Sequence, residues 1–203
     1  MGRQYEFNRE ETLTKAMQVF WHKGYKATSM NDLVKEMGIQ PGSIYNAFGD
    51  KHSLFLAAIE HYGEVVTENT LKKLNTSGSP IENIKSFFNE IISKPMDKQC
   101  KGCLIVNTVV ELAPHDDESA RIVKVILKKI EKAFYDCLKK AVESGEISKE
   151  KDIKALSRYL ASSTHGLLVT GKSNASKEEL KDIVKVVIST LIGNGLDPEK
   201  NSG

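Results

Sequence analysis

The stretch Ser29-Met-Asn-Asp-Leu-Val-Lys-Glu-Met-Gly-Ile-Gln-Pro-Gly-Ser-Ile-Tyr-Asn-Ala-Phe-Gly-Asp-Lys51 leaves few folds open. Its pattern predicts two short helices joined by a tight turn. Ser29 is a helix N-cap with Asp32 three residues on, the spacing of a capping box. Leu33, Val34 and Met37 give that helix one apolar face. Gly38 makes the exit, because glycine takes positive φ without a steric cost. Gln40 caps the next helix, and Pro41 stands where a missing N–H does no harm. Ile44, Ala47 and Phe48, at i, i+3 and i+4, point to a core. Gln40, Gly42, Ser43, Tyr45 and Asn46 are left outside.

A helix of about two turns gains little from propensity alone. An outer face of small, hydrogen-bonding residues makes sense if it meets a polar surface. A helix-turn-helix presents its second helix to the DNA major groove in this way. Gly42 and Ser43 permit close approach, and Asn46 suits bidentate pairing with adenine. Tyr45 and Lys51 reach toward phosphates, which fix register without reading sequence. The bland alternative is a helical hairpin that binds nothing.

Residues 9 to 62 resemble the DNA-binding domain of the tetracycline-repressor (TetR) type of transcription regulators. The resemblance is carried by Phe20 and Gly24-Tyr25, by Thr28-Ser29-Met30, and by Gly38-Ile39. It continues through Pro41-Gly42-Ser43-Ile44-Tyr45-Asn46-Ala47-Phe48 and Gly49-Asp50-Lys51-His52-Ser53-Leu54-Phe55. Asn46 departs from it, since the family often has a larger ring there. The resemblance implies DNA contacts from Thr28, Ser29, Gln40, Pro41, Gly42, Ser43, Tyr45, Asn46 and Lys51. It also implies a homodimer on a palindromic, double-stranded operator, and a small-molecule effector that releases a repressor from it.

Composition narrows the alternatives. Of the 203 residues, 40% are hydrophobic and 28% charged, which are globular values. No apolar run approaches the ~20 residues of a membrane span. The polar start lacks a signal-peptide core, so a cytoplasmic protein is expected. Residues 1 to 62 hold seven Lys/Arg and seven Asp/Glu. A strongly basic, DNA-coating protein is thereby disfavoured, and non-specific affinity should be modest.

Helical periodicity runs through the whole chain, and the expected fold is all-α. A three-helix helix-turn-helix domain (1–55) precedes a larger helical effector-binding and dimerisation domain (56–195) and a flexible tail (196–203). Helices are predicted over about 8–23, 50–74, 79–94, 103–113, 116–144, 149–171 and 177–192, besides the two short ones. The helix from Asp50 to Leu74 carries Leu54, Phe55, Ala58, Ile59 and Tyr62 on one stripe. Ser79-Pro80-Ile81-Glu82 combines a capping box with proline at the first helical position. Ser148 is the expected cap of the penultimate helix, and Ser176 with Glu179 caps the last. Leu156, Leu160, Ser163 and Leu167 recur at helical spacing in the penultimate helix. Ile183, Val184, Val187 and Leu191 do so in the last. In the resembling family the corresponding pair forms a four-helix dimer interface, which assigns these eight residues to it; the bland reading is that both stripes face only their own core.

Cys100-Lys101-Gly102-Cys103 is a C-x-x-C with Lys98 nearby. Cations and a helix N-terminus both favour a thiolate, so a thiol or electrophile sensor of the same fold is one alternative. The bland reading makes these cysteines packing residues, as Cys137 is on its apolar stripe. Zinc would need further ligands, and no metal site is expected. Asn107 and Glu111 lie one helical turn apart and are candidates to face an effector cavity. His165, in an otherwise apolar helix, is a candidate pocket or interface residue. No triad, paired-carboxylate pattern, phosphate loop or dinucleotide fingerprint is present, so no enzyme and no cofactor are expected. An all-α enzyme and a protein-interaction module remain as other classes.

Overall fold

A computed structural model of the chain describes residues 7–93, 102–173 and 175–192. Those residues form nine α-helices and one short 3-10 turn, with no strand among them. The helices are α1 (Arg9–Lys23), α2 (Met30–Met37), α3 (Pro41–Phe48), α4 (Lys51–Leu74), α5 (Pro80–Ser93), α6 (Leu104–Glu111), α7 (Asp117–Glu143), α8 (Ile153–Lys172) and α9 (Lys177–Ile192). The 3-10 turn, Ala113–His115, lies between α6 and α7. No helix among the described residues is long and apolar enough to cross a membrane.

The chain divides into two compact units. One joins Met1–Thr67 with Lys101–Ile126, and the other joins Glu68–Cys100 with Leu127–Gly203. In the first, α1 packs on α2 around Phe20, Leu33, Ile44, Leu54 and Phe55, all at most 2% exposed. Phe20 meets Phe55 edge to face, with ring centroids 5.0 Å apart. Aromatic pairs of this kind add about 0.5–1.5 kcal/mol beyond their buried area.

In the second unit, α5, α8 and α9 pack on one another. Phe87 and Phe88 of α5 set their rings against Phe134 of α7. Cys137 is a core residue there, its thiol pushed up to about 11 by burial and pointed at the Pro80 carbonyl. Such a thiol stays protonated and inert.

Side chains cap several helix ends, at α2 and α9 as predicted. Asn8 Oδ1 accepts the amides of Glu10 and Glu11 at the start of α1. Ser176 and Glu179 close a reciprocal box at α9. Two ends differ. The α8 cap is Asp152, not Ser148, because Asp152 Oδ1 takes the amides of Lys154 and Ala155. At α5, Ser79 accepts the Glu82 amide as expected. The carboxylate that completes the cap, however, comes from Glu146, while Glu82 pairs with Lys85.

Candidate nucleic-acid interface

α2 is closed at both ends by local caps. Ser29 Oγ accepts the Asp32 amide at 3.1 Å, and Asp32 Oδ2 accepts the Ser29 amide at 2.9 Å. Lys23 first, and then the Ser29 amide and hydroxyl, hold the Asp32 carboxyl well below the usual carboxylate range. Gly38 ends α2 at φ +71, in the left-handed region that favours glycine. Ile44 and Phe48 are buried, so the opposite face of α3 is turned outward.

That outward face carries the expected residues. Gln40, Pro41, Gly42 and Asn46 are exposed and Ser43 is half-buried. Tyr45 is 51% exposed, so half of a large ring stands free of the core. Ser29 is exposed at the start of α2. Lys51 is half-buried, its ammonium 4.5 Å from the Tyr25 ring centroid. Arg9 lies in the same way over Phe48 at 4.9 Å. Thr28 does not join this face. It is 2% exposed, and its hydroxyl donates to the Gly24 carbonyl at 2.6 Å. Its side chain closes the α1–α2 turn instead of reaching a ligand.

Tyr25 is the hub of that turn. Its ring packs on Phe55 at 4.9 Å and edge-on to His52 at 6.2 Å. Burial, and then the carboxylates of Asp50 and Asp116, push its hydroxyl up, so it stays neutral. His52 Nε2 lies 3.1 Å from Asp116 Oδ1, and its Nδ1 lies 3.7 Å from Glu118 Oε2. The three donor atoms come within 4.8 Å of one another. The two carboxylates lie nearest different nitrogens of one ring. A shared metal would need both on the side of one nitrogen.

Sequence reasoning missed what Glu111 does. Its carboxylate is taken up by two backbone amides of the same unit, Tyr25 at 3.2 Å and Lys26 at 2.8 Å. The expectation that it lines a cavity does not describe this carboxylate. Asn107, one turn earlier, is half-buried. Cys103 is buried at the N-cap of α6, with the Tyr62 hydroxyl 3.7 Å from its sulfur. Burial, and then Cys103, push the Tyr62 hydroxyl well up. Cys100, Lys98 and Lys101 lie outside the described residues.

In the second unit, His165 is half-buried, and its Nδ1 has no hydrogen-bond partner among the described residues. Burial lowers its pKa and keeps the ring neutral.

The predicted dimer stripe needs correction. Leu160, Leu167, Val184, Val187 and Leu191 are at most 6% exposed in the single chain, filling the α5–α8–α9 core. They have no surface left for a partner. Leu156 and Ser163 are half-buried, and Ile183 is exposed. The outward apolar groups are Tyr159 and Val169 on α8, with Gly166 between them, and Ile183, Val186 and Ile192 on α9.

Comparison with known proteins places this geometry among regulators. Residues 13–58 match the family profile described as bacterial regulatory proteins, tetR family. Residues 80–187 match the tetracyclin repressor-like C-terminal domain. The uncharacterised HTH-type transcriptional regulator YezE of Bacillus subtilis is 38% identical over 193 residues, covering 94% of this chain and 100% of its own. The HTH-type transcriptional repressor ComR of Escherichia coli is 28% identical, over 90% of this chain and 88% of its own. A cysteine-substituted form of the TetR family regulator CifR, solved with a 26-bp operator duplex, superposes with a TM-score of 0.82 at 25% identity. It covers 94% of this chain and 100% of its own.

Proposed function

The chain belongs to the TetR family of bacterial regulatory proteins, and from that membership we propose that it is a homodimeric repressor released from a palindromic operator by a small-molecule effector. DNA-binding regulation comes with the family. The finer reading is carried by the outward face of α3, where Gly42, Tyr45 and Asn46 are exposed while Ile44 and Phe48 are buried. Asn46 offers the donor–acceptor pair that matches adenine in the major groove. Ser29, Tyr45 and Lys51 supply phosphate contacts. One short helix reads few bases, and two copies about one helical turn (~34 Å) apart read a palindrome. Tyr159, Val169, Ile183, Val186 and Ile192 are the large apolar groups that α8 and α9 leave for a second copy. An effector then acts through its differential affinity for the operator-competent and released conformations.

The test is selection from random duplex DNA by the purified protein, run beside Tyr45→Ala. A palindrome enriched by the wild type alone is the expected result. No enrichment with either protein refutes the proposal.

A second reading, thiol sensing, has one observation of its own. Cys103 begins α6, and Glu111 at the other end of that helix holds the α1–α2 turn. An adduct on Cys103 would expel Tyr62 from its buried place and press on the same helix. Treating the protein–operator complex with N-ethylmaleimide should release the DNA for the wild type and spare the double variant Cys100→Ser/Cys103→Ser. Equal release from both proteins removes this reading.

A further inference from the structure

Glu111 ends α6 with its two carboxylate oxygens on two successive amides. Oε2 accepts the Tyr25 N–H at 3.2 Å and Oε1 accepts the Lys26 N–H at 2.8 Å. Hydrogen bonds to an ionised acceptor are about twice as strong as neutral ones, and a two-point contact also fixes orientation. The turn it grips is short. Gly24 ends α1 at φ +80, and α2 begins at Met30. A Cβ on Gly24 would stand 2.7 Å from Glu111 Oε2. The backbone angle favours glycine here, and any side chain would also push the Glu111 carboxylate from its present position. From Gly24 the turn closes on itself through Thr28, and Ser29 then caps α2.

We propose that Glu111 is a positioning residue for operator recognition, fixing the α1–α2 turn so that Ser29 and the outward face of α3 meet the duplex in one register. The inference rests on the DNA-binding reading above. Glu111 carries negative charge, so it does not itself attract a phosphate. Its contribution runs through the amides of Tyr25 and Lys26. The Tyr25 ring, in turn, lies under Lys51 and against Phe55 at the start of α4. One carboxylate thus sets the link between α1 and α2, and it grips the residue on which Lys51 rests. Fixing these elements before contact lowers the ordering cost of binding.

Charge provides the decisive readout. Glu111→Gln removes a negative charge from a DNA-binding unit, which by electrostatics alone tightens binding to any duplex. It also turns an amide NH₂ toward one of the two backbone N–H donors, which cannot accept from it. A positioning role predicts the opposite of the electrostatic effect. Operator affinity falls at least about tenfold, while affinity for random-sequence duplex and its salt slope stay unchanged or rise. Glu111→Asp keeps the charge but cannot span both amides, and is expected to lose operator affinity as well. Asp136→Asn, on an exposed α7 carboxylate paired with Lys132, controls for charge.

The measurement is the ratio of operator to random-duplex affinity for full-length wild type and the three variants, with thermal unfolding followed alongside. Operator affinity equal to or tighter than wild type in both Glu111 variants overturns the inference and leaves the regulator reading standing. A parallel fall in operator and random-duplex affinity, tracking a loss of folded protein, makes Glu111 structural and also overturns it. A wild type that selects no operator sinks the regulator reading, and this inference with it.

Discussion

Glu146 Oε2 accepts the Ser79 hydroxyl at 2.5 Å and the Ile81 amide at 3.1 Å, so a residue just beyond α7 completes the N-terminal cap of α5. Burial pushes the Glu146 carboxyl up, but the hydrogen bonds from Ser79, Ile81 and Ser144 together hold it below the ordinary glutamate value. Glu146→Ala should cost about 1–2 kcal/mol, the range of a lost N-cap. In a chain of this size that is a fall in Tm of roughly 2–8 °C by calorimetry. Because the folded pKa is depressed, this stability is present above the unfolded value. It is lost as the pH falls below about 4.5. The wild type should therefore lose its advantage over the variant in acid.

His165 predicts a second pH effect, in a higher window. Burial lowers its folded pKa, so folding favours the neutral ring. The associated stability is intact above the unfolded value of about 6.5 and is lost as the pH drops through the folded value. Between pH 7.5 and 5.5 the wild type should lose more thermal stability than His165→Gln. Equal losses in the two proteins would show that the ring does not feel its surroundings in this way.

The outward and inward faces of the last two helices should separate in mutagenesis. Val186 is 60% exposed, and Val186→Glu is expected to give monomers by light scattering after gel filtration with helix content retained. Leu160 is fully buried, and Leu160→Ala should destabilise the fold by about 2–5 kcal/mol. A Val186→Glu protein that stayed dimeric would move the interface away from α9.

Lys51 makes a prediction about salt. If its ammonium reaches a phosphate from its seat over the Tyr25 ring, Lys51→Ala weakens operator and random duplex alike. It also lowers the slope of log affinity against log salt by about one per protomer. Loss of operator binding alone, at an unchanged slope, would make Lys51 a support for Tyr25 and no phosphate contact.

How much of this was legible in the sequence depended on how local the determinant was. The cap at Ser29, the exits at Gly24 and Gly38, and the buried Ile44 and Phe48 are decided within a few residues, and all could be read directly. So could α4, because Leu54 to Tyr62 form one unbroken stripe. Five of the eight stripe residues are core, for a physical reason. Periodicity shows that Leu160 and Val187 lie on an apolar face, but a face buried against its own neighbours and one buried against a partner look alike. Thr28 failed because a threonine hydroxyl serves a turn carbonyl as well as a phosphate. Glu111 and Glu146 were invisible because their partners are backbone amides 86 and 65 positions away, and amides leave no mark in a sequence.

The evenly balanced charge of residues 1–62 has a consequence for how the protein finds its site in a cell. Lys15 and Lys23 are paired with Glu11 and Asp32. With seven Asp/Glu against seven Lys/Arg, residues 1–62 carry no net positive charge to drive indiscriminate contact with phosphates. Non-operator DNA, present in vast excess, is then a weak competitor. Fewer copies of the regulator sit idle along the chromosome, and each visit to a wrong sequence is brief. A small pool of regulator molecules is then enough to keep its site occupied.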